Sequence, residues 1–449
     1  MAYRRAAGLL EAGREYQRDG GPGTARGMAS MYSPGQIALG PFTIDAATAR
    51  VFRDGQELKL RPQVFQVLRF LIKNPGRLVD FDEMIQEAWA GARVSRHTVA
   101  VTLGELKSLL EECGHWITIR PGYGYCLEIP ESEHLMRVGQ HFRNQFTPSG
   151  LDNAIRLFEQ VTEIEGASPR AWEALAGSYL ESGVFCTRPT REVQRLFLDA
   201  YHRALALQGL TPGLQLIRAL SLYLFEQKLA EAESELLWVR RARPGMAEVS
   251  VHLARVYFMS GRSDESLSEL RQAENVDALS PALAFVKPCL LLYGRDADRA
   301  AASAKQAVAL YPNAPVTHLH YADVLDYAGD GLAALVEYRI ASTIAPEVTL
   351  FRAAEATCLA KQGRSREASA VLAELNLNRK SQYVDAYYVA LLLEALGQRD
   401  EAFEELERSH AEKSPMVAWL DLDTKADSLR DDPRFAKLRD RIARNQGPG

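Results

Sequence analysis

Cysteine is scarce in this 449-residue chain, and the five present (Cys113, Cys126, Cys186, Cys289 and Cys358) never fall into a CxxC pair. That scatter gives no disulfide framework and no structural zinc site, and it fits a reducing compartment. Long apolar runs are missing too. Nothing approaches ~18 consecutive apolar residues, so no membrane span is expected. The N-terminus carries Arg4 and Arg5 but no apolar stretch of the kind a secretory signal needs, so the expected location is the cytoplasm. Chemistry-bearing motifs are equally absent: there is no GxxxxGK phosphate loop, no strand-borne GxGxxG, no HExxH and no GxSxG. Asp421, Asp423 and Asp427 lack the central Gly and terminal Glu of a calcium loop. His318 and His320 stand one residue apart on a helical segment and face different directions. No catalytic residues, metal or cofactor are therefore expected.

Charge of one sign is also in short supply. The net charge is −5, so nothing global marks a nucleic-acid binder. By segment, residues 1–30 hold five Arg against three acids, 31–130 eleven basic against eleven acidic residues, and the remainder 37 against 44. The acidic excess thus belongs to the long C-terminal part. With 47% apolar and 25% charged residues, the composition is that of an ordinary globular protein.

Residues 1–30 include the Gly-rich, aperiodic "RDGGPGTARGMAS" and read as a flexible tail. Over 31–130 the pattern shifts to short runs. "IALGPFTID", "ARVFRDG" and "QELKL" read as three brief strands, with Asp54-Gly55 as a hairpin turn. A helix follows from Pro62, with Val64, Leu68, Leu71 and Ile72 at helical spacing and Asn74-Pro75-Gly76 as its stop. Asp80 with Glu83 three residues on forms a capping box for a second helix. "SRHTVAVTLGELKSLLEE", residues 95–112, is a third. Two β runs, 116–120 and 124–129, flank Pro121-Gly122-Tyr123.

This order resembles the OmpR-type winged helix-turn-helix domain of bacterial transcription regulators, over about residues 36–130. Its carriers are "LRPQVFQVLRFLIKNPGRLV", the "VSRHTV" start of the third helix and the "TIRPGYGY" wing. The resemblance implies that the third helix reads the major groove of double-stranded DNA. On a wheel of 100° per residue, Val99, Leu103, Leu106 and Leu110 face the core. The opposite side presents His97, Val101, Gly104, Glu105 and Ser108, flanked by Thr98, Ala100 and Lys107, with Thr102 near the rim. Where the family often carries arginines, this chain has Gly104, Glu105 and Lys107. Reading by close approach of small side chains is the expected mode, with Glu105 accepting from cytosine N4. Phosphate anchoring is expected from Arg93, Arg96, Lys107 and wing Arg120, with Tyr123 at the wing tip. So few cations imply a modest salt slope and a need for a dimer or a partner.

The remainder, 131–449, is a repeat. Ala232, Ser266, Ala300, Ala334, Ala368 and Ala402 stand 34 residues apart, and Leu220, Ala254, Pro288, Ala322, Ala356 and Ala390 form a second ladder twelve residues upstream. Pro244, Pro312 and Pro346 fall on a third. A 34-residue period of small residues with proline-marked turns resembles the tetratricopeptide repeat, two antiparallel helices per unit. Two less regular units precede it, carried by Gly139, Phe142, Ala154 and Phe158 and by Trp172, Ala176, Tyr179, Tyr201 and Ala204. About eight repeats are expected across 133–415, with a kinked or shortened helix at Pro288. Residues 416–442, including "DPRF", resemble the closing segment of bacterial tetratricopeptide proteins and are expected to cap the array with a polar end.

The whole reads as mostly α: a small α/β winged helix-turn-helix domain followed by an α-helical tetratricopeptide-repeat solenoid. The resemblance implies a one-component transcription regulator in which the repeats bind a protein partner such as RNA polymerase, a small ligand or a second copy of the chain. His318, Tyr321, Arg352 and Tyr387 are the expected groove-lining residues of the repeats. A reading of another class stays open at this point: an adaptor that docks proteins on both parts and binds no DNA.

Overall fold

A computed structural model of the chain describes residues 36–53 and 56–444. The tail read over 1–30 and the hairpin turn at Asp54-Gly55 lie outside the described residues. The chain divides into two compact units, the second beginning at Leu135.

The first unit opens with a four-stranded antiparallel sheet: β1 (Gln36–Leu39), β2 (Phe42–Asp45), β3 (Arg50–Arg53) and β4 (Gln56–Leu58), in that order. The run 37–45, read above as one strand, is two. Leu39 pairs with Phe42 across a two-residue turn, and Gly40 supplies the positive φ of 59° at its first position, with Pro41 following. That is the chemistry of a tight hairpin. Three helices follow: α1 (Pro62–Lys73), α2 (Phe81–Ala88) and α3 (Arg96–Leu109). Each starts for a local reason. Pro62 occupies the first turn of α1, where its missing N–H costs nothing. Asp80 accepts the Glu83 amide to cap α2, and Ser95 accepts the Thr98 amide to cap α3.

A 3-10 turn (Glu111–Trp116) leads to the hairpin of β5 (Ile117–Arg120) and β6 (Gly124–Leu127), and Tyr125 bridges to Val79. The core joins all parts. Ile44 and Val51 from the sheet, Leu68 and Leu71 from α1, and Val99, Leu103 and Leu106 from α3 are each at most 2% exposed. Gly124 makes the wing possible, since a Cβ there would meet the Val79 carbonyl oxygen at 2.1 Å.

The second unit is built from antiparallel helix pairs: α4 (Glu131–Arg143) with α5 (Pro148–Ile164), α6 (Pro169–Val184) with α7 (Thr190–Gln208), and α8 (Pro212–Leu224) with α9 (Leu229–Ala242). There follow α10 (Ala247–Met259) with α11 (Ser263–Val276), α12 (Pro281–Tyr293) with α13 (Ala297–Leu310), and α14 (Pro315–Tyr327) with α15 (Gly331–Ile344). The last pairs are α16 (Thr349–Lys361) with α17 (Ser365–Asn378) and α18 (Ala386–Ala395) with α19 (Arg399–Ala411), before a final α20 (Pro433–Arg444). The small-residue ladders are the reason the pairs close. Ala232, Ala300, Ala334, Ala368 and Ala402 are fully buried, as are Ala254, Ala322, Ala356 and Ala390. At the first pair Gly139 plays this part, because a Cβ there would meet Cε1 of Phe158 at 2.5 Å. Helix α12 runs through Pro288 and is as long as its neighbours α10 and α14, so the shortening expected there does not occur. Among the described residues no helix is long and apolar enough to cross a membrane.

Distant pairs also touch. Phe146, in the turn between α4 and α5, packs edge-on against Phe285 of α12 at 5.1 Å and against Tyr311 after α13 at 5.8 Å. Cys186, after α6, is buried in the core of the last pairs, close to Asp385. Burial, and the nearby Asp385 carboxylate, push its thiol well above the ordinary range, and its Sγ donates to the Val184 carbonyl at 3.8 Å. The array therefore turns far enough to meet itself.

The closing segment departs from a simple cap. Its last helix α20 does bury Phe435, Leu438 and Ile442 and lies against α19. Before it, residues 414–430 run back across the first helices of earlier pairs. Trp419 packs beside Tyr293 of α12 with ring centres 5.7 Å apart, and Lys425 reaches Asp323 of α14 at 2.8 Å.

Candidate nucleic-acid interface

Helix α3 is held from one side only. Val99, Leu103 and Leu106 lock it to the core, and its N-terminus is braced where the Arg96 guanidinium lies 4.8 Å from the Phe81 ring centre. That leaves the other side open. His97, Thr98, Ala100, Gly104 and Ser108 are exposed, and Val101 is 51% exposed. Nothing lies within 4 Å of a Cβ built on Gly104. Packing therefore does not demand glycine there, although glycine weakens a helix interior by about 1 kcal/mol relative to alanine.

The structure sorts the remaining residues. Thr102 is 4% exposed, and its hydroxyl donates to the Thr98 carbonyl at 2.9 Å. It belongs to the core side of α3 and leaves the interface, because it stands one turn from both Val99 and Leu106. Ser108 remains exposed, but its hydroxyl donates to the Gly104 carbonyl at 3.0 Å. Glu105 is committed to Arg61, the residue before α1, which donates to both carboxylate oxygens, one of them at 2.9 Å. The guanidinium holds the Glu105 carboxyl below its usual value. Arg61 reaches this face from the start of α1, so no pattern along α3 announces it.

Arg93 and Lys107 have no carboxylate partner among the described residues, and Arg120 meets Glu128 at 3.5 Å between exposed side chains. At the wing, Tyr123 is 73% exposed and Ile119 51%. One exposed helix face, a capped helix N-terminus and an exposed hairpin tip are the parts a winged helix uses on a duplex.

A family model described as "Transcriptional regulatory protein, C terminal" matches residues 55–127. Those residues are an OmpR/PhoB-type winged-helix domain. Among curated proteins, the transcriptional regulatory protein KdpE of Mycobacterium tuberculosis is 36% identical over 77 residues, 17% of this chain and 34% of that one. The phosphate regulon transcriptional regulatory protein PhoB of Rhizobium meliloti is 34% identical over 95 residues, 20% of this chain and 42% of that one. The chain thus spans roughly a third to two fifths of the length of these relatives. Among solved structures, the APC/C hetero-tetramer Cut9–Hcn1 aligns over 80% of this chain and 62% of that one, at 14% identity and a TM-score of 0.47. The repeat architecture stands on the helix pairs themselves.

In the repeat unit, the four residues expected to line a groove are occupied internally. His318 is buried, with Nδ1 2.6 Å from Glu337 and Nε2 2.9 Å from the Pro312 carbonyl oxygen, so it clamps the turn before its own helix. Tyr321 packs against the core formed by Leu291, Leu292, Ala300 and Val324. Arg352 donates to Glu355 and Glu374. Tyr387 is buried and its hydroxyl donates to Asp423 at 2.9 Å. Spacing along a first helix does not reveal which side chains a later segment covers. No group of three or more His, Cys, Asp or Glu among the described residues is placed to hold a metal ion.

Proposed function

We propose that this protein is a transcription regulator acting in the cytoplasm, with α3 in the major groove, the β5–β6 hairpin on the flanking backbone, and the repeat unit as the partner-binding part. The observation that carries the reading is the open face of α3 around Gly104. A glycine that packing does not require, beside an exposed valine, suits a helix whose backbone approaches base edges and thymine methyls. Arg93, Lys107 and Arg120 supply phosphate contacts, aided by the amides at the start of α3.

The Arg61–Glu105 pair modifies the expected chemistry. Glu105 still has lone pairs for a cytosine amino group, while Arg61 cancels its charge beside the phosphates. With few free cations on the face, useful affinity comes from two copies on adjacent half-sites or from a protein partner recruited by the repeats. Activation is the favoured sign, in line with the 26% identity over 98 residues to the transcriptional activator CadC of Escherichia coli.

The test is recovery of genomic fragments bound by the full chain, followed by titration of recovered duplexes. Saturable binding at about 50 mM salt that weakens as salt rises is the expected outcome. Undetectable binding at that salt refutes the reading and leaves the adaptor.

A further inference from the structure

The inner face of the repeat unit is filled by the chain's own residues 414–430. The Ser414 hydroxyl donates to Asp385 at 2.6 Å. Trp419 is 6% exposed, buried among Val251, Ala254, Phe258 and Leu290, with the Arg255 guanidinium 5.3 Å from its ring centre. Four residues on, Asp423 accepts from the Tyr387 hydroxyl. Lys425 lies 2.8 Å from Asp323. Four residues beyond Asp423, Asp427 takes a bidentate pair from Arg295, one bond at 2.8 Å.

The anchors come from α10, from α12 and the turn after it, from α14 and from α18, so one irregular segment crosses four helix pairs. It contains no α-helix, only two 3-10 turns, Val417–Trp419 and Thr424–Leu429. Trp419 fills an apolar socket, Val417, Leu420, Ala426 and Leu429 are buried in the core of the last pairs, and charged side chains hold the stretch after Trp419. That is how a short peptide is held in a groove: a buried anchor, with polar contacts that fix register. The polar anchors grade from the enclosed Lys425–Asp323 pair to the exposed Arg295–Asp427 pair at the edge, where a competitor would find its first foothold.

We propose that residues 414–430 are a built-in occupant of the recognition groove, and that the partner sensed by the repeats is a protein segment bearing an aromatic residue followed four and eight residues later by carboxylates. Such a segment competes for Arg255, Tyr293, Tyr387 and Arg295 and releases the chain's own. The proposal rests on the reading of the repeats as the partner-binding part, and its test uses no DNA. Failure here therefore leaves duplex binding untouched, and failure of duplex binding leaves this groove standing.

The probe is a fluorescein-labelled peptide with the sequence of residues 414–430, titrated into the full chain and into the full-chain variant Trp419→Ala/Asp423→Asn/Asp427→Asn. That variant keeps every groove residue and weakens only the occupant. It should bind the probe at least about tenfold more tightly than the unaltered protein, and a probe carrying Trp419→Ala should lose at least about tenfold of that affinity. Equal binding by both proteins overturns the proposal. So does loss of helical circular dichroism in the variant, which would make the segment part of the core. Hydrogen exchange on the unaltered protein gives a second reading. Amides of 417–429 should exchange ahead of those in α10, α12 and α14, and exchange in step with them overturns the proposal. A mass that doubles with concentration and falls on probe addition also counts against it, since the occupant would then come from a second copy.

Discussion

Replacing Gly104 by alanine separates folding from DNA reading at one atom. The position lies inside the 14-residue α3, and an added Cβ would meet nothing within 4 Å. The folded protein therefore accepts the methyl group without strain, and the helix gains about 0.8–1 kcal/mol from alanine's better propensity. In a unit of this size a gain of 1 kcal/mol raises the melting temperature by about 4–8 °C. On DNA the same methyl stands between the helix backbone and the base edges. Lifting the helix off one base contact costs about 1–3 kcal/mol, a loss of roughly 5- to 150-fold in affinity. The assay pairs calorimetric melting of the full chain with anisotropy titration of a recovered duplex and a random duplex at one salt concentration. A more stable protein that binds the recovered duplex less well, and the random one nearly as before, is the expected pattern. Undiminished specific affinity would refute the close approach of α3. A lowered melting temperature would refute the open face.

Other outcomes follow from the same structure. Arg120→Ala should weaken binding to all duplexes alike and reduce the slope of log affinity against log salt by about one, while Glu105→Ala should alter base preference at one position, both read by titration over a salt series. Equal effects of the two on every sequence would remove Glu105 from the reading face. Gly124→Ala must push its Cβ into the Val79 carbonyl oxygen and should cost more than about 2 kcal/mol in denaturant unfolding of the first unit; an unchanged midpoint would contradict the wing geometry. Burial lowers the His320 imidazole to about 4 and that of His252 to about 3. Because these folded values lie below the unfolded one, the stability they contribute is present above about pH 6.5 and is lost as pH falls towards the folded values. His320 alone should cost the repeat unit about 2 kcal/mol between about pH 7 and 5, and His320→Gln should flatten that part of the urea-midpoint profile.

What was legible in the sequence was what repeats or what is local. Alanines at a 34-residue spacing mark helix pairs because close approach tolerates nothing larger. Ser95 and Asp80 announce helix starts through bonds only three residues long. The two-strand reading of 37–45 was also available, since Gly40-Pro41 is hairpin chemistry, but the apolar run across it masked the turn. Thr102 fell on the border of the helical wheel, where a rotation of a few tens of degrees decides between groove and core. What surrounds His318 and Tyr387 has another origin. Their partners depend on how helix pairs curve and on a segment that returns from the C-terminal end. Lys425 meets Asp323 across 102 residues, and no periodicity encodes that pairing.

Contact between distant pairs changes how the array comes apart. An open solenoid behaves as a chain of nearest-neighbour units, frays from its ends and tolerates the loss of a terminal repeat. Here Phe146 leans on Phe285 and Tyr311, and Cys186 sits in the core of the final pairs. Each of these contacts ties an early unit to one several repeats later, so neither end can peel away at only local cost. The unit should melt as a hoop does when cut, all at once, and its steepness of unfolding should exceed what its repeat number alone would give. For the helix pairs themselves, the lifetime against a protease is then set by the rate at which the loop first opens.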